Sequence, residues 1–150
     1  MANSYICCYM HCIFSTKSRQ NLIAPELQKR LWPYMGGIAR ENDMSALAVG
    51  GTENHIHILL SIPSTLSVAK SMQLIKGGTS KWIHETFPSP QNFAWQEGYG
   101  AFSVSKSLIE KTIAYINNQQ EHHRTLSFEK EYIGFLEKFG IAYDKNYVFG

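Results

Sequence analysis

The stretch MSALAVGGTENHIHILLSIP, residues 44–63, constrains the fold more than any other part of the chain. Two apolar, β-type runs flank a short GTEN connection, so they pair as antiparallel neighbours and commit the chain to a sheet. Successive side chains of HIHILLSI point to opposite faces. His55 and His57 therefore share a face, with α-carbons ~6.6 Å apart, while Ile56, Ile58, Leu60 and Ile62 turn to a core. Two imidazoles at this spacing either converge on one metal ion or sit as separate hydrogen-bonding groups on a polar sheet face. The spacing alone leaves both readings open.

The rest of the chain supplies elements to pack on that hairpin. YICCYMHCIFST, residues 5–16, reads as a strand that ends in a basic loop carrying Lys17 and Arg19. Pro25 opens a helix running to residues 42–43, and Pro33 inside it predicts a kink or a split near Trp32. Residues 64–85 read as a second helix, with Val68, Met72, Ile75 and Trp82 toward the core. Gly77 and Gly78 interrupt that helix at about 1 kcal/mol each, a pair suited to a close approach of the backbone, to a sheet more than to a ligand. FAWQEGYGAFSV is another strand, bent at its glycines. Ser107 and Glu110 form a capping-box pattern that opens a helix to His123. SFEKEYIGFLEKFG closes the chain with an amphipathic helix that uses Phe128, Ile133, Leu136 and Phe139 and stops at Gly140.

Strand, helix, strand, strand, helix, strand is the split βαβ, ferredoxin-like order. The expectation is an α+β fold: one antiparallel sheet with helices on one face, plus C-terminal helices. At 150 residues the chain makes a single domain, 1–150, and its 44% hydrophobic content supports a packed core. A net charge of +2 permits a nucleic-acid partner without requiring one. Along one strand Cys7 and Cys8 point to opposite faces, and Cys8 and Cys12 share a face but lie ~13 Å apart, which predicts buried, reduced thiols. The apolar stretch around them is too short to span a bilayer and has no basic leader, so a soluble, cytoplasmic chain with no membrane partner is expected.

Within residues 107–123, Ile109, Ile113 and Ile116 form one stripe. Tyr115, Gln119 and His122 form a polar stripe about 100° away around the helix. Turned toward the sheet histidines, that stripe presents an amide oxygen and a phenol to one ion; turned outward, it is a solvated face.

Four blocks in this order, VGGTENHIHILLSIP, KGGTSKWIHE, FAWQEGYGAFSVS and YINNQQEHHRTLSFEKEY, resemble the single-tyrosine HUH transposases of bacterial insertion sequences, together with their relatives associated with repetitive extragenic palindromes. The resemblance extends over nearly the whole chain. It implies a DNA strand transferase that cuts and rejoins single-stranded DNA near hairpins through a 5′-phosphotyrosine. It assigns Tyr115 as nucleophile and His55, His57 and Gln119 as ligands of a divalent metal, Mg²⁺ or Mn²⁺. It further implies a homodimer in which the tyrosine helix of one chain can complete the histidine pair of the other. Lys17, Arg19, Lys76, Lys81, His122 and His123 are the candidate DNA contacts, and Trp95 and Tyr99 are either base-stacking platforms or core aromatics. Residue types alone suit Zn²⁺ or Mn²⁺ as well as Mg²⁺. Three other readings compete with transposition: a non-catalytic hairpin-binding module on the same fold, a zinc-dependent hydrolase using water, and a domesticated enzyme that processes chromosomal palindromes.

Overall fold

The computed structural model describes residues 3–150. In chain order the elements are β1 (Tyr9–Ser15), α1 (Pro25–Glu41), β2 (Ser45–Gly51), β3 (His55–Ser61), α2 (Val68–Thr86), β4 (Gly100–Val104), α3 (Ile109–Asn117), α4 (Gln119–His122) and α5 (Phe128–Lys138). The predicted hairpin forms from β2 and β3, and the sheet runs β2-β3-β1-β4 with every pair antiparallel.

Side-chain alternation on the two central strands builds two cores. Cys12 and Phe14 of β1 join Ile56, Ile58 and Leu60 of β3 beneath α1 and α2, whose Leu31, Met35, Met72 and Ile75 are fully buried there. On the other face, Ile13 and Phe102 pack against Phe128, Tyr132 and Leu136 of α5. Ala48 and Leu59 pack there against Ile109 and Ile116 of α3. Thus α1 and α2 take one face, as the split βαβ order predicts, and the C-terminal helices cover the face that carries His55 and His57.

Several local expectations are corrected. β1 begins only at Tyr9, so Cys7 is exposed and Cys8 half-buried; only Cys12 is a buried thiol. Pro33 does not split α1, which runs unbroken for 17 residues. Pro33 and Lys29, four residues earlier, are both exposed, so the carbonyl that loses its partner is turned to water. α2 starts at Val68 because Ser67 caps it, accepting the Lys70 N–H at 2.9 Å. Of its glycine pair, only Gly78 makes a close approach, and that is to a helix and not the sheet: a Cβ there would lie 2.8 Å from Ile38 Cδ1 of α1.

The predicted strand at residues 93–104 is regular only from Gly100, with Trp95 making an isolated bridge to Thr16. Ser107 makes no cap: α3 begins after a 3-10 turn, Lys106–Leu108, with Leu108 at its N-cap position. α3 also ends early, because Asn118 leaves helical geometry at φ −109° and ψ 23°, and Gln119–His122 form a separate turn. α5 closes as predicted at Gly140, whose φ of +66° suits glycine, with Ile141 N–H donating to the Leu136 carbonyl at 2.9 Å. Phe139, however, is 41% exposed, and Glu131 and Tyr132 hold the buried stripe instead.

Candidate active site

His55 and His57 are both fully buried, facing away from the α1/α2 core as the period of β3 requires. β1 holds His57 in register with Ile13 and His55 with Ser15. The imidazoles are oriented from behind. His57 Nδ1 lies 2.7 Å from His11 Nε2 on β1, and His55 Nδ1 lies 2.9 Å from Asn54 Oδ1 and 3.0 Å from Thr52 Oγ1. Both Nε2 atoms are thereby directed to the space under α4 and α5. Such anchoring of the distal ring nitrogen is how proteins orient histidine ligands.

Five further side chains close on that space. Gln119 Oε1 is 3.1 Å from His55 Nε2, and its amide nitrogen donates to the Tyr115 carbonyl at 3.3 Å, which fixes the oxygen inward. Glu131 Oε1 sits 2.9 Å from His57 Nε2 and 3.0 Å from His123 Nε2. The second oxygen of Glu131 accepts the hydroxyl proton of Tyr115, and His122 Nε2 stands 3.1 Å from the same hydroxyl. Ligand atoms of His55, His57, His123 and Glu131 all lie within 4.8 Å of one another.

The donor set fits a cation. His123 Nδ1 donates to the Leu126 carbonyl at 2.5 Å, so a neutral His123 presents a lone pair at Nε2. That lone pair faces two more acceptors, Gln119 Oε1 and Glu131 Oε1, each at 3.0 Å. A positive charge there, either an ion at the centre or a proton on His123 Nε2, resolves the conflict. Burial, then the Coulombic effect of His57, holds His55 neutral by lowering its pKa to about 3. His11 is lowered to about 3 for the same two reasons, and His57 is also lowered, chiefly by burial. Burial acts against charge on His123 too, but the hydrogen bond and negative charge of Glu131 outweigh it and raise that pKa. Burial likewise opposes the Glu131 charge, yet hydrogen bonds from His123 and His57 hold its carboxyl well below the ordinary range. Burial and the Glu131 contact raise the Tyr115 pKa, so the phenol is neutral in the metal-free chain.

The predicted site residues therefore separate into two groups. Tyr115, His55, His57, Gln119, His122 and His123 come together on one face of the sheet. Lys76 and Lys81 ride on α2, on the other face. Lys81 is exposed, whereas the Lys76 ammonium donates to the Gln96 and Gly98 carbonyls at 2.8 and 2.5 Å. Lys17 is exposed in the turn after β1, and Arg19 beside it lies over the Phe149 ring at 4.7 Å. Trp95 is a core aromatic, donating to Thr79 Oγ1 at 3.0 Å and set edge-on to Phe14 and Phe93. Tyr99 is half-buried against the same core.

Glu131 and His11 were not legible as site residues, though each left a trace. Glu131 follows Phe128 by three positions, which puts a carboxylate on the apolar stripe of an amphipathic helix. His11 shares a strand face with Ile13, inside an apolar run. A cleft of about 220 Å³ opens at Tyr115, His122 and Glu131, with Lys130 and Lys138 among its lining residues. A second, of about 300 Å³, opens at His123 and Asn54.

The family model described as IS200-like transposase matches residues 4–119. The transposase of insertion element IS200 from Salmonella typhimurium is 26% identical over 122 residues, covering 78% of this chain and 80% of the relative. The ISDra2 transposase TnpA of Deinococcus radiodurans is 21% identical over 116 residues, covering 74% and 83% of the two chains. In fold, the chain is similar to a crystal structure of a Deinococcus radiodurans R1 protein assigned as a transposase, with TM-score 0.64 and 22% identity, covering 79% of this chain and 96% of that one. It is also similar to the REP-associated tyrosine transposase bound to a REP hairpin, with TM-score 0.56 and 13% identity, covering 77% and 68%.

Proposed function

The chain belongs to the IS200-like transposase family, and from that premise we propose that it cleaves and rejoins single-stranded DNA beside hairpins, with Tyr115 as nucleophile and a divalent ion, Mg²⁺ or Mn²⁺, held by His55, His57 and Gln119. The observation that carries this reading is the meeting of Tyr115 and Gln119 with the sheet histidines within one chain, across the separation of 64 residues between His55 and Gln119. The hairpin preference is supported by the similarly folded REP-associated transposase, which is seen on a REP hairpin.

Tyr115 attacks a backbone phosphorus through its phenolic oxygen. A Tyr–O–P bond forms, the bond to the 3′ oxygen breaks, and the products are a 5′-phosphotyrosine and a free 3′-hydroxyl. One phosphodiester has been exchanged for another, so a 3′-hydroxyl of a new strand can reverse the step and release Tyr115 without added energy. The phenol's proton has an acceptor in place, since Tyr115 O–H already donates to Glu131. Lys130 and Lys138, in the cleft beside Tyr115, supply positive charge for the phosphate. When bound, the ion supplies polarisation of the phosphate and stabilisation of charge on the leaving oxygen.

The contact of the Tyr115 helix with the histidines of its own chain supports a site assembled in cis, two of which a homodimer would carry. Among the described residues no helix is long and apolar enough to cross a membrane.

Incubating the protein with hairpin-bearing single-stranded DNA and Mn²⁺ is expected to give an SDS-stable protein–DNA adduct that Tyr115→Phe abolishes. Cleavage that persists in Tyr115→Phe with free 5′-phosphate ends would instead select a water-using hydrolase. Hairpin binding indifferent to EDTA, with no adduct under any metal, would select a non-catalytic module.

A further inference from the structure

The family match ends at residue 119, whereas α5 begins at Phe128. The similar Deinococcus radiodurans structure is 96% covered while 79% of this chain is, so about a fifth of this chain lies outside that match. Yet the segment beyond the family match is not peripheral. Its Glu131 is only 4% exposed, a carboxylate brought 74 residues along the chain to within 2.9 Å of His57.

We propose that Glu131 is a direct ligand of the divalent ion, so that the C-terminal helix completes the metal site of this chain with a carboxylate. The inference rests on the metal-dependent reading above and deepens it. Three observations carry it. First, the separations are those of a coordination polyhedron. An ion ~2.1 Å from its ligands places neighbouring ligand atoms ~3.0 Å apart in an octahedron and ~3.4 Å apart in a tetrahedron. Glu131 Oε1 lies 2.9, 3.0 and 3.7 Å from the Nε2 atoms of His57, His123 and His55. Second, every one of those imidazoles is tethered at Nδ1, to His11, to Leu126 and to Asn54 with Thr52, so that Nε2 is the free end in each case. Third, Glu131 spreads its two oxygens between two tasks: Oε1 faces the imidazoles and Oε2 takes the Tyr115 hydroxyl. One buried carboxylate thus ties the nucleophile to the place of the ion.

A donor set of imidazoles, one amide oxygen and one carboxylate binds Mn²⁺ and Mg²⁺ more firmly than imidazoles and an amide alone, since hard cations favour anionic oxygen. Mn²⁺ affinity is measured by calorimetry, with bound and free ion counted by electron paramagnetic resonance, on the full chain without DNA. Wild type is compared with Glu131→Gln and His57→Ala, and folding is checked by circular dichroism. Loss of a carboxylate ligand is expected to weaken binding by at least the ~10–100-fold seen when a mere orienting partner is removed. Unchanged affinity in Glu131→Gln, with loss in His57→Ala, would overturn the role of Glu131 while leaving the histidine site intact. Wild type that binds no Mn²⁺ would overturn the metal-dependent reading along with it. A wild-type crystal soaked in Mn²⁺ decides the matter without any variant. Anomalous density within bonding distance of Glu131 Oε1, ~2.2 Å, supports the proposal, and an ion on His55, His57 and Gln119 with Glu131 out of reach refutes it.

Discussion

Gly50→Ala tests how tightly the tyrosine helix must seat on the sheet. Gly50 lies directly across from His57 in the β2–β3 ladder. A Cβ there would stand 2.4 Å from the Ile116 carbonyl oxygen and 3.2 Å from Ile116 Cγ2, where ordinary contact begins at 3.4 Å. The nearest obstacle is backbone, so no rotamer change relieves it, and α3 must lift by about 1 Å, the difference of those two distances. Tyr115 is the residue before Ile116 and moves with it. Overpacking of this kind costs about 1–3 kcal/mol, which for a chain of this size lowers Tm by roughly 2–4 °C per kcal/mol. A reacting atom misplaced by about 1 Å costs on the order of 100-fold in rate.

The expected outcome is single-turnover adduct formation slowed about 100-fold, with Mn²⁺ affinity weakened less than in His57→Ala, because the histidines stay in their strand while Gln119, bonded to the Tyr115 carbonyl, shifts with α3. Gly77→Ala is the control: no atom lies within 4 Å of a Cβ there, and alanine in a helix interior should stabilise by about 0.5–1 kcal/mol. Gly50→Ala with wild-type adduct rate and wild-type Tm would refute the claim that β2 sets the height of Tyr115.

Three other outcomes follow from the same contacts. Removing the imidazole behind His57 by His11→Ala should weaken Mn²⁺ binding about 10–100-fold without abolishing it; calorimetry showing wild-type affinity would dismiss the orienting role of His11. Ser127 caps α5 by accepting the Lys130 N–H at 3.2 Å, so Ser127→Ala should cost about 1 kcal/mol and increase amide exchange at Lys130 and Glu131, and unchanged exchange would count against it. In EDTA, stability should fall with acid. His11 and His55 titrate near 3 when folded, against an ordinary value of 6.5, so the unfolded chain binds more protons between those limits. Their contribution is present above pH 6.5 and declines toward pH 3, by about 2 kcal/mol each at pH 5. The depressed Glu131 adds loss in the same direction below its ordinary 4.5, while the raised His123 partly offsets it. A Tm that stays flat from pH 7 to 5 would refute this assignment.

Local rules decided a good deal of this protein. The period of two in HIHILL determined that His55 and His57 share a face, because a strand permits nothing else. The period of 3.6 placed Tyr115 and Gln119 on one stripe, and the order of elements was enough for the split βαβ sheet. Boundaries were less legible where competing groups were close in energy. Ser107 and Glu110 had the sequence of a cap, but a 3-10 turn formed instead, and Asn118 broke a helix whose periodicity ran on.

What the tertiary structure alone decided was convergence. Nothing local tells Glu131 that His57 lies 74 residues behind it, or tells His11 that the neighbouring strand will put His57 at 2.7 Å. Those meetings depend on which sheet face the C-terminal helices cover, and the hydrophobic effect that drives them there is non-directional. It turned a strand face that reads as polar into a buried one. Once buried, the histidines, the amide and the carboxylate had to satisfy one another, because no water remained to do so.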